Sequence, residues 1–198
     1  MTVTGKDAKG TTAERLPGVA AALFRRKGYA STSTREIAGE LGISKAALYY
    51  HAASKQDILY ALSMRALDHI FDEVQAALAR ETDQQRRLPA LIHAHVTAVL
   101  AERDLHATML MEISQLDGVH RKDVVRLRDR YERLVRDVVA QSQNAGSVRI
   151  DWEAKELTLA LLNLLNWTIF WWEPDGGMDA PRVSALVSTV FLDGVAPK

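Results

Sequence analysis

Apolar residues recur along this chain at the spacing of amphipathic α-helices, and glycine or short polar segments interrupt them. No segment shows the alternation of a confident β-strand, so the predicted fold is all-α. Caps, apolar stripes and breakers place the expected helices at roughly Thr12–Lys27, Thr34–Leu41, Ser44–Tyr50, Lys55–Arg80, Pro89–Arg103, Leu105–Leu116, a charged segment that ends at Asn144, Trp152–Trp172 and Asp179–Asp193.

Residues 33–51 have the layout of two short helices joined by a tight turn. Ser33 and Glu36 fit a capping box, in which each side chain binds the backbone N–H of the other residue. Gly42 follows the first helix, where a left-handed turn costs least, and Ser44 can cap the second helix. This layout, at about residues 34–53, predicts a helix-turn-helix that places its second helix in a DNA major groove.

The second of these helices has one inward anchor, Leu48, which leaves its polar and aromatic side chains outside. Hydroxyl and ammonium groups suit phosphate oxygens, and polar or aromatic side chains on such a helix reach base edges. A plain helical hairpin is the alternative that this segment alone leaves open. The predicted DNA-binding residues are Ser33, Thr34, Arg35, Ser44, Lys45, Ala46, Tyr49, Tyr50, His51 and Lys55.

Net charge changes the picture only when the chain is divided, because the whole chain has a formal charge of zero. Residues 1–60 hold 9 Lys and Arg against 5 Asp and Glu, a net +4, and the remaining residues hold 16 against 20, a net −4. The positive charge lies at the end that carries the helix-turn-helix. A positive charge is expected of the part of the chain that faces DNA phosphates, and a negative charge is compatible with the part that does not.

The chain resembles the TetR (tetracycline repressor) family of transcriptional regulators over about its first third. The resemblance implies an N-terminal three-helix DNA-binding head and a C-terminal helical body for ligand binding and dimerisation. The matching residues are Leu23-Phe24, Gly28-Tyr29, Ser33-Thr34, Ile37-Ala38, Leu41-Gly42-Ile43-Ser44, Leu48-Tyr49 and Ser54-Lys55.

Domains are expected at 1–10 for a disordered tail, 11–71 for the head and 72–198 for the body. Two residues depart from the family pattern within the head. Pro17 lies early in the first helix, so that helix is expected to begin effectively near Leu16. Ala52 stands where the family usually has a Phe that fills the core of the head, so less buried area is expected there.

Residues 157–172 are apolar nearly all round, so more than one side of that helix needs cover. A central core helix in a monomer is one explanation, and a second copy of the chain is the other. The family resemblance favours a homodimer through the last two helices, which would bind a palindromic operator. The predicted interface residues are Leu162, Leu165, Val183, Leu186, Val187, Val190 and Phe191.

The motif residues Asn166-Trp167, Trp171-Trp172, Pro174 and Gly176-Gly177 are similar to a TetR subgroup that responds to acyl-CoA thioesters in lipid and sterol breakdown. That likeness implies a hydrophobic or acyl-CoA ligand. Asn163 and Trp171 stand where the subgroup often carries Arg, which leaves a neutral hydrophobic compound as the alternative. The predicted ligand pocket is lined by Met109, Glu112, Tyr131, Asn163, Trp167 and Phe170.

No catalytic motif, cofactor loop or metal site stands out, so no cofactor and no enzymatic activity are expected. His93 and His95 lie two residues apart, which directs them to nearly opposite sides of a helix. With no Cys and no long apolar run, we expect a cytoplasmic protein without membrane contact. The predicted function is a ligand-responsive repressor. A DNA-binding or interaction module without an effector, or a helical enzyme, are the alternatives.

Overall fold

A computed structural model describes residues 10–196 of the chain, and the predicted tail at residues 1–10 lies outside this range except for Gly10. The predicted all-α fold is confirmed, since the described residues form helices and no strands. A short 3₁₀ helix, Ile113–Gln115, lies directly after Glu112. The helices are α1 (Thr12–Lys27), α2 (Thr34–Leu41), α3 (Lys45–His51), α4 (Lys55–Arg80), α5 (Gln84–Ala101), α6 (Arg103–Glu112), α7 (Gly118–Asn144), α8 (Ala154–Trp171) and α9 (Ala180–Gly194).

The N-terminal core joins α1, α2 and α3 to the first half of α4. Phe24 of α1, Ile37 of α2 and Leu48 of α3 are almost fully buried there. Ala52 is only partly buried against this core, where the family pattern led us to expect a larger side chain. The same core also takes in Leu105 of α6, so it is continuous with the C-terminal part of the chain.

The C-terminal core forms around α5, which packs against α4, α7, α8 and α9. α4 is the element shared by both cores, because its residues up to Leu67 belong to the first and those from Ile70 belong to the second. The predicted division at residue 71 falls close to this changeover. It remains a prediction, since side chains of α6 and α7 also enter the N-terminal core.

Two helices begin earlier than their prolines led us to expect. α1 has the predicted bounds Thr12–Lys27, and only the expectation of an effective start near Leu16 is wrong, because a capping box between Thr11 and Glu14 closes its first turn ahead of Pro17. α5 begins at Gln84, five residues before the expected start at Pro89. The Asp83 side chain accepts a hydrogen bond from the Gln85 N–H at 3.0 Å. These polar caps determine where the two helices begin, and the periodicity of apolar residues does not reveal them.

Candidate nucleic-acid interface and ligand cavity

Side-chain caps at both N-termini hold α2 and α3 in a helix-turn-helix arrangement. The Ser33 hydroxyl accepts from the Glu36 N–H at 3.2 Å, and the Glu36 carboxylate accepts from the Ser33 N–H at 2.8 Å. Gly42 ends α2 in the left-handed region, with φ of 71°. Ser44 then caps α3 by accepting from the Ala47 N–H at 3.1 Å. The turn between the helices is therefore set by local contacts.

Glu36 also ties α2 to α1. Lys27 donates to its carboxylate at 2.6 Å. This hydrogen bond, followed by those from Ser33, lowers the pKa of Glu36 to about 2. The carboxylate consequently stays charged at neutral pH and completes the capping box while it holds the adjoining helix.

The outward side of α3 carries the side chains that the sequence pattern assigned to base edges. Leu48 is fully buried, whereas Tyr50 is 88% exposed. The ammonium of Lys45 lies 5.4 Å from the centre of the Tyr49 ring, and the Tyr49 hydroxyl lies 3.4 Å from the Thr34 hydroxyl. That hydrogen bond lowers the pKa of Tyr49. We name this outward side the α3 surface; it consists of Lys45, Ala46, Tyr49, Tyr50 and His51.

A shallow concavity lies beside the α3 surface, and it brings together several predicted phosphate contacts. Ser33, Thr34 and Lys55 line it along with Tyr49. Arg35 and Ser44, also predicted, are exposed at the starts of α2 and α3. Backbone N–H groups and hydroxyls at helix N-termini are suitable partners for phosphate oxygens.

Lys55 differs from the predicted direct phosphate contact. Its ammonium donates to the carbonyls of Tyr29 at 2.8 Å and Thr32 at 3.0 Å, and it lies 4.2 Å from the centre of the Tyr29 ring. Because these carbonyls belong to the loop between α1 and α2, Lys55 holds that loop in place. Its positive charge still contributes to the concavity that it lines.

A cavity of about 250 Å³ lies within the helical body, between α4 to α8. Its wall combines apolar side chains with polar and charged ones in equal number, and small-molecule sites use such polar groups to fix the orientation of a ligand. The lining residues are Leu67, Ile70, His95, Met109, Leu110, Arg128, Tyr131, Glu132, Leu159, Leu162, Asn163 and Asn166.

Of the six predicted pocket residues, the cavity brings together Met109, Tyr131 and Asn163. The other three lie elsewhere, so their placement in the pocket is corrected. Glu112 faces the head and accepts a hydrogen bond from the Tyr29 N–H at 3.3 Å. Trp167 and Phe170 lie on the outside of α8, with ring centres 4.7 Å apart. Aromatic content alone did not show which side of α8 faces inward.

His95 is the most deeply buried polar residue among the lining residues that the sequence did not predict. Its Nδ1 lies 2.7 Å from the Tyr131 hydroxyl, and both side chains are buried. Burial lowers the pKa of His95 to about 4 and raises the pKa of Tyr131. His93, two residues earlier, instead lies 3.1 Å from the Ser184 hydroxyl. The two-residue spacing of His93 and His95 predicts that their side chains point in different directions. Nothing in the sequence shows that His95 is the one that enters the cavity.

An apolar groove runs along the outer side of α8 and α9. Trp167 is 64% exposed there and Val190 is 55% exposed. We call this surface the α8–α9 groove. It is lined by Ala160, Asn163, Leu164, Trp167, Trp171, Leu186, Val187 and Val190.

The predicted dimer-interface residues divide into three groups. Leu186, Val187 and Val190 line the α8–α9 groove, although Val187 is itself mostly covered. Leu162 lines the internal cavity instead. Leu165, Val183 and Phe191 are buried in the protomer's own core, on the inward sides of α8 and α9. The prediction that these three residues lie at the dimer interface is therefore corrected.

Comparison with known proteins matches these two parts of the fold to two family models. Residues 18–62 match the model of bacterial regulatory proteins of the tetR family, and residues 81–195 match the model of the tetracyclin repressor-like C-terminal domain. The chain therefore belongs to the TetR family of transcriptional regulators. The predicted family and its helix-turn-helix are confirmed.

Individual relatives agree with this assignment. The HTH-type transcriptional repressor KstR2 of Rhodococcus jostii (strain RHA1) is 27% identical over 96% of this chain and 95% of its own. The crystal structure of the TetR family regulator PfmR from Thermus thermophilus is similar with a TM-score of 0.83 and 35% identity, over 90% of this chain and 97% of its own.

A structure of AibR in complex with isovaleryl coenzyme A and operator DNA has the same fold, with a TM-score of 0.79 and 23% identity over 91% of this chain and 98% of its own. KstR2 and PfmR are transcriptional regulators, and operator DNA is what regulators of the TetR family bind. No helix within residues 10–196 is long and apolar enough to span a membrane.

Proposed function

We propose that this chain is a dimeric, ligand-responsive transcriptional repressor that binds a palindromic operator and leaves it when a hydrophobic or acyl-CoA ligand occupies the body. The α3 surface carries the proposal, because a buried Leu48 anchors a short helix whose other side presents Lys45, Tyr49, Tyr50 and His51 to solvent. Phosphate contacts would come from Ser33, Thr34, Arg35 and Ser44.

Dimerisation through the α8–α9 groove supports the reading of a palindrome. One short recognition helix covers few base pairs, whereas two related by a two-fold axis read half-sites about 34–36 Å apart. A two-fold axis also lets the same apolar surface cover itself. The groove offers Trp167, Leu186 and Val190 for this purpose, each of them partly exposed in the protomer.

Residues that line the cavity connect it to the DNA-binding head and to the α8–α9 groove, which supports a response of DNA binding to ligand. Met109 and Leu110 of α6 line the cavity, and Glu112, at the end of the same helix, binds the backbone of Tyr29 in the head. Asn163 lines both the cavity and the α8–α9 groove. A ligand shifts the population only by its differential affinity for the two states, about 5.5 kcal/mol for a full exchange of 1:99 for 99:1.

The cavity volume bears on the ligand. About 250 Å³ lies below the range of about 300–1,000 Å³ of drug-sized ligand sites. The acyl group of a thioester would therefore lie inside, with the coenzyme portion outside. The alternative is a neutral hydrophobic compound, favoured by Asn163 and Trp171 at positions where Arg was expected to meet the coenzyme.

The rest of the proposal follows the family. Residues 11–71 would form the DNA-binding head and residues 72–198 the body for ligand and partner. A regulator of this kind acts in the cytoplasm, where its DNA is, and needs no enzymatic activity. KstR2 is named a repressor, and the sign of regulation proposed here rests on that likeness.

Footprinting on the DNA upstream of the protein's own coding sequence tests the proposal, with and without isovaleryl-CoA and longer acyl-CoAs. We expect one protected palindrome that loses protection when an effective ligand is added. A palindrome whose protection no compound relieves would favour an effector-independent DNA-binding module. Protection that persists unchanged in a Lys45→Ala, Tyr49→Ala double variant would contradict the assignment of the α3 surface, with Val119→Ala, exposed at the start of α7, as the control.

A further inference from the structure

The buried end of the cavity holds a polar pair that the apolar part of its wall does not require. His95 and Tyr131 are 1% and 5% exposed, and both line the cavity. Nδ1 of His95 pairs with the Tyr131 hydroxyl at 2.7 Å, whereas Nε2 makes no hydrogen bond among the described residues. A buried polar atom without a partner costs about 1–3 kcal/mol, so its retention needs a reason.

The proton positions follow from counting donors and acceptors. If the Tyr131 hydroxyl donates to Nδ1, its only proton is used and the imidazole carries its own proton on Nε2. If Nδ1 donates instead, the hydroxyl proton and the Nε2 lone pair are both left without partners, because the described residues give the hydroxyl no other contact. The first arrangement leaves fewer hydrogen-bonding groups without a partner. It leaves a single unused donor, the Nε2–H of His95.

This end of the cavity is polar without being charged. Burial lowers the pKa of His95 to about 4, an effect that a polar interaction with the Asn166 side chain opposes only in part, and burial raises the pKa of Tyr131. Asn166 lines the cavity beside His95, but it gives Nε2 no hydrogen bond of normal length and angle. The charged residues of the lining, Arg128 and Glu132, are of opposite sign; Arg128 is exposed and Glu132 is partly buried, so both lie towards solvent rather than at the buried His95. A carboxylate at the inner end would have to give up its hydration to a neutral donor, which is costly.

We propose that the inner end of this cavity binds the carbonyl oxygen of a compact, uncharged apolar group through the Nε2–H of His95, with Tyr131 as the positioning residue that fixes the imidazole proton. The proposal rests on the proposed function only in taking the cavity as the ligand site. It names the part of the ligand that enters first: a ketone, or the carbonyl of an acyl thioester, and not a free carboxylate.

Three probes of nearly the same shape test it by calorimetry: acetophenone, α-methylstyrene, which replaces the carbonyl oxygen by a methylene, and benzoate. We expect acetophenone to bind about 5- to 10-fold more tightly than α-methylstyrene, as one hydrogen bond would give, and benzoate to bind most weakly. In His95→Leu the preference for acetophenone should disappear. In Tyr131→Phe it should fall in part, since the ring is kept and only the hydroxyl is lost.

His106→Leu is the matched control. His106 is 1% exposed and both its ring nitrogens lack partners, yet it does not line the cavity. Its substitution should leave the probe preference unchanged. The infrared carbonyl band of bound acetophenone gives a readout that a structural role would not move: it should lie at lower frequency in the parent than in His95→Leu.

Equal affinity for acetophenone and α-methylstyrene, tightest binding of benzoate, or the same loss in His106→Leu as in His95→Leu would each overturn the inference. Failure of every probe to bind the parent would overturn it too. Operator binding is measured separately, so a protein that binds DNA and responds to another ligand keeps the proposed function while losing this inference. Comparison of isovaleryl-CoA with 4-methyl-2-pentanone, as competitors of acetophenone, distinguishes a thioester from a free ketone.

Discussion

Weakening the α8–α9 groove should separate the proposed dimer into monomers, and the exposure of Leu186 sets the scale. The side chain is 45% exposed in the protomer. Full burial of a Leu side chain stabilises by about 1.5–3 kcal/mol, so covering the remaining part contributes about 0.7–1.4 kcal/mol. A two-fold interface contains each residue twice, which gives about 1.4–2.7 kcal/mol for Leu186→Ala.

The dissociation constant of the dimer should therefore rise by about 10- to 90-fold in Leu186→Ala, as measured by sedimentation equilibrium. Glu at Leu186 and Val190 together should give monomers at micromolar concentration, since an unpaired charge buried at an interface costs several kcal/mol. Val119, 72% exposed at the start of α7, is the matched control, and Val119→Glu should remain dimeric. A monomeric parent, or equal effects at Val119 and Leu186, would refute the reasoning.

Four further variants probe the head. Lys45→Ala should weaken binding to all DNA sequences similarly and reduce the salt slope by about one, whereas Tyr49→Ala should weaken specific binding more, both measured by fluorescence anisotropy. Leu48→Ala should destabilise the fully buried head core by about 2–5 kcal/mol in urea unfolding, and an unchanged midpoint would contradict that burial. The pKa of Glu36, held at about 2 against an ordinary 4.5, adds stability above about pH 4.5 that is lost as pH falls towards 2. Glu36→Gln should therefore be less stable than the parent at pH 7 and nearly equal to it at pH 2, and an equal difference at both would exclude this cause.

The head could be predicted closely because its signals are local. Ser33 with Glu36, Gly42 and Ser44 are read within a few positions of each other, and the structure places α2 at the predicted bounds. Lys55 shows where this stops. Its charge and position predicted a phosphate contact, but its carbonyl partners lie more than twenty residues earlier in the chain.

The body was predicted less well because α8 is apolar on nearly every side. The apolar pattern of such a helix does not show which of its sides is buried. The buried side, which carries Leu165, therefore could not be distinguished from the exposed side, which carries Trp167. The position of His95 in the cavity was not predicted for a related reason. Its pairing with Tyr131 joins α5 to α7 across 36 positions, and a single buried histidine carries no local pattern.

Selection of DNA from a random-sequence pool by the purified protein tests the central claim most directly, because it presumes neither target gene nor ligand. We expect enrichment of one palindromic motif, with half-sites spaced for two recognition helices, and loss of that enrichment in Tyr49→Ala. Enrichment of no motif, or of the same motif by the parent and by Tyr49→Ala, would contradict the claim that the α3 surface reads DNA.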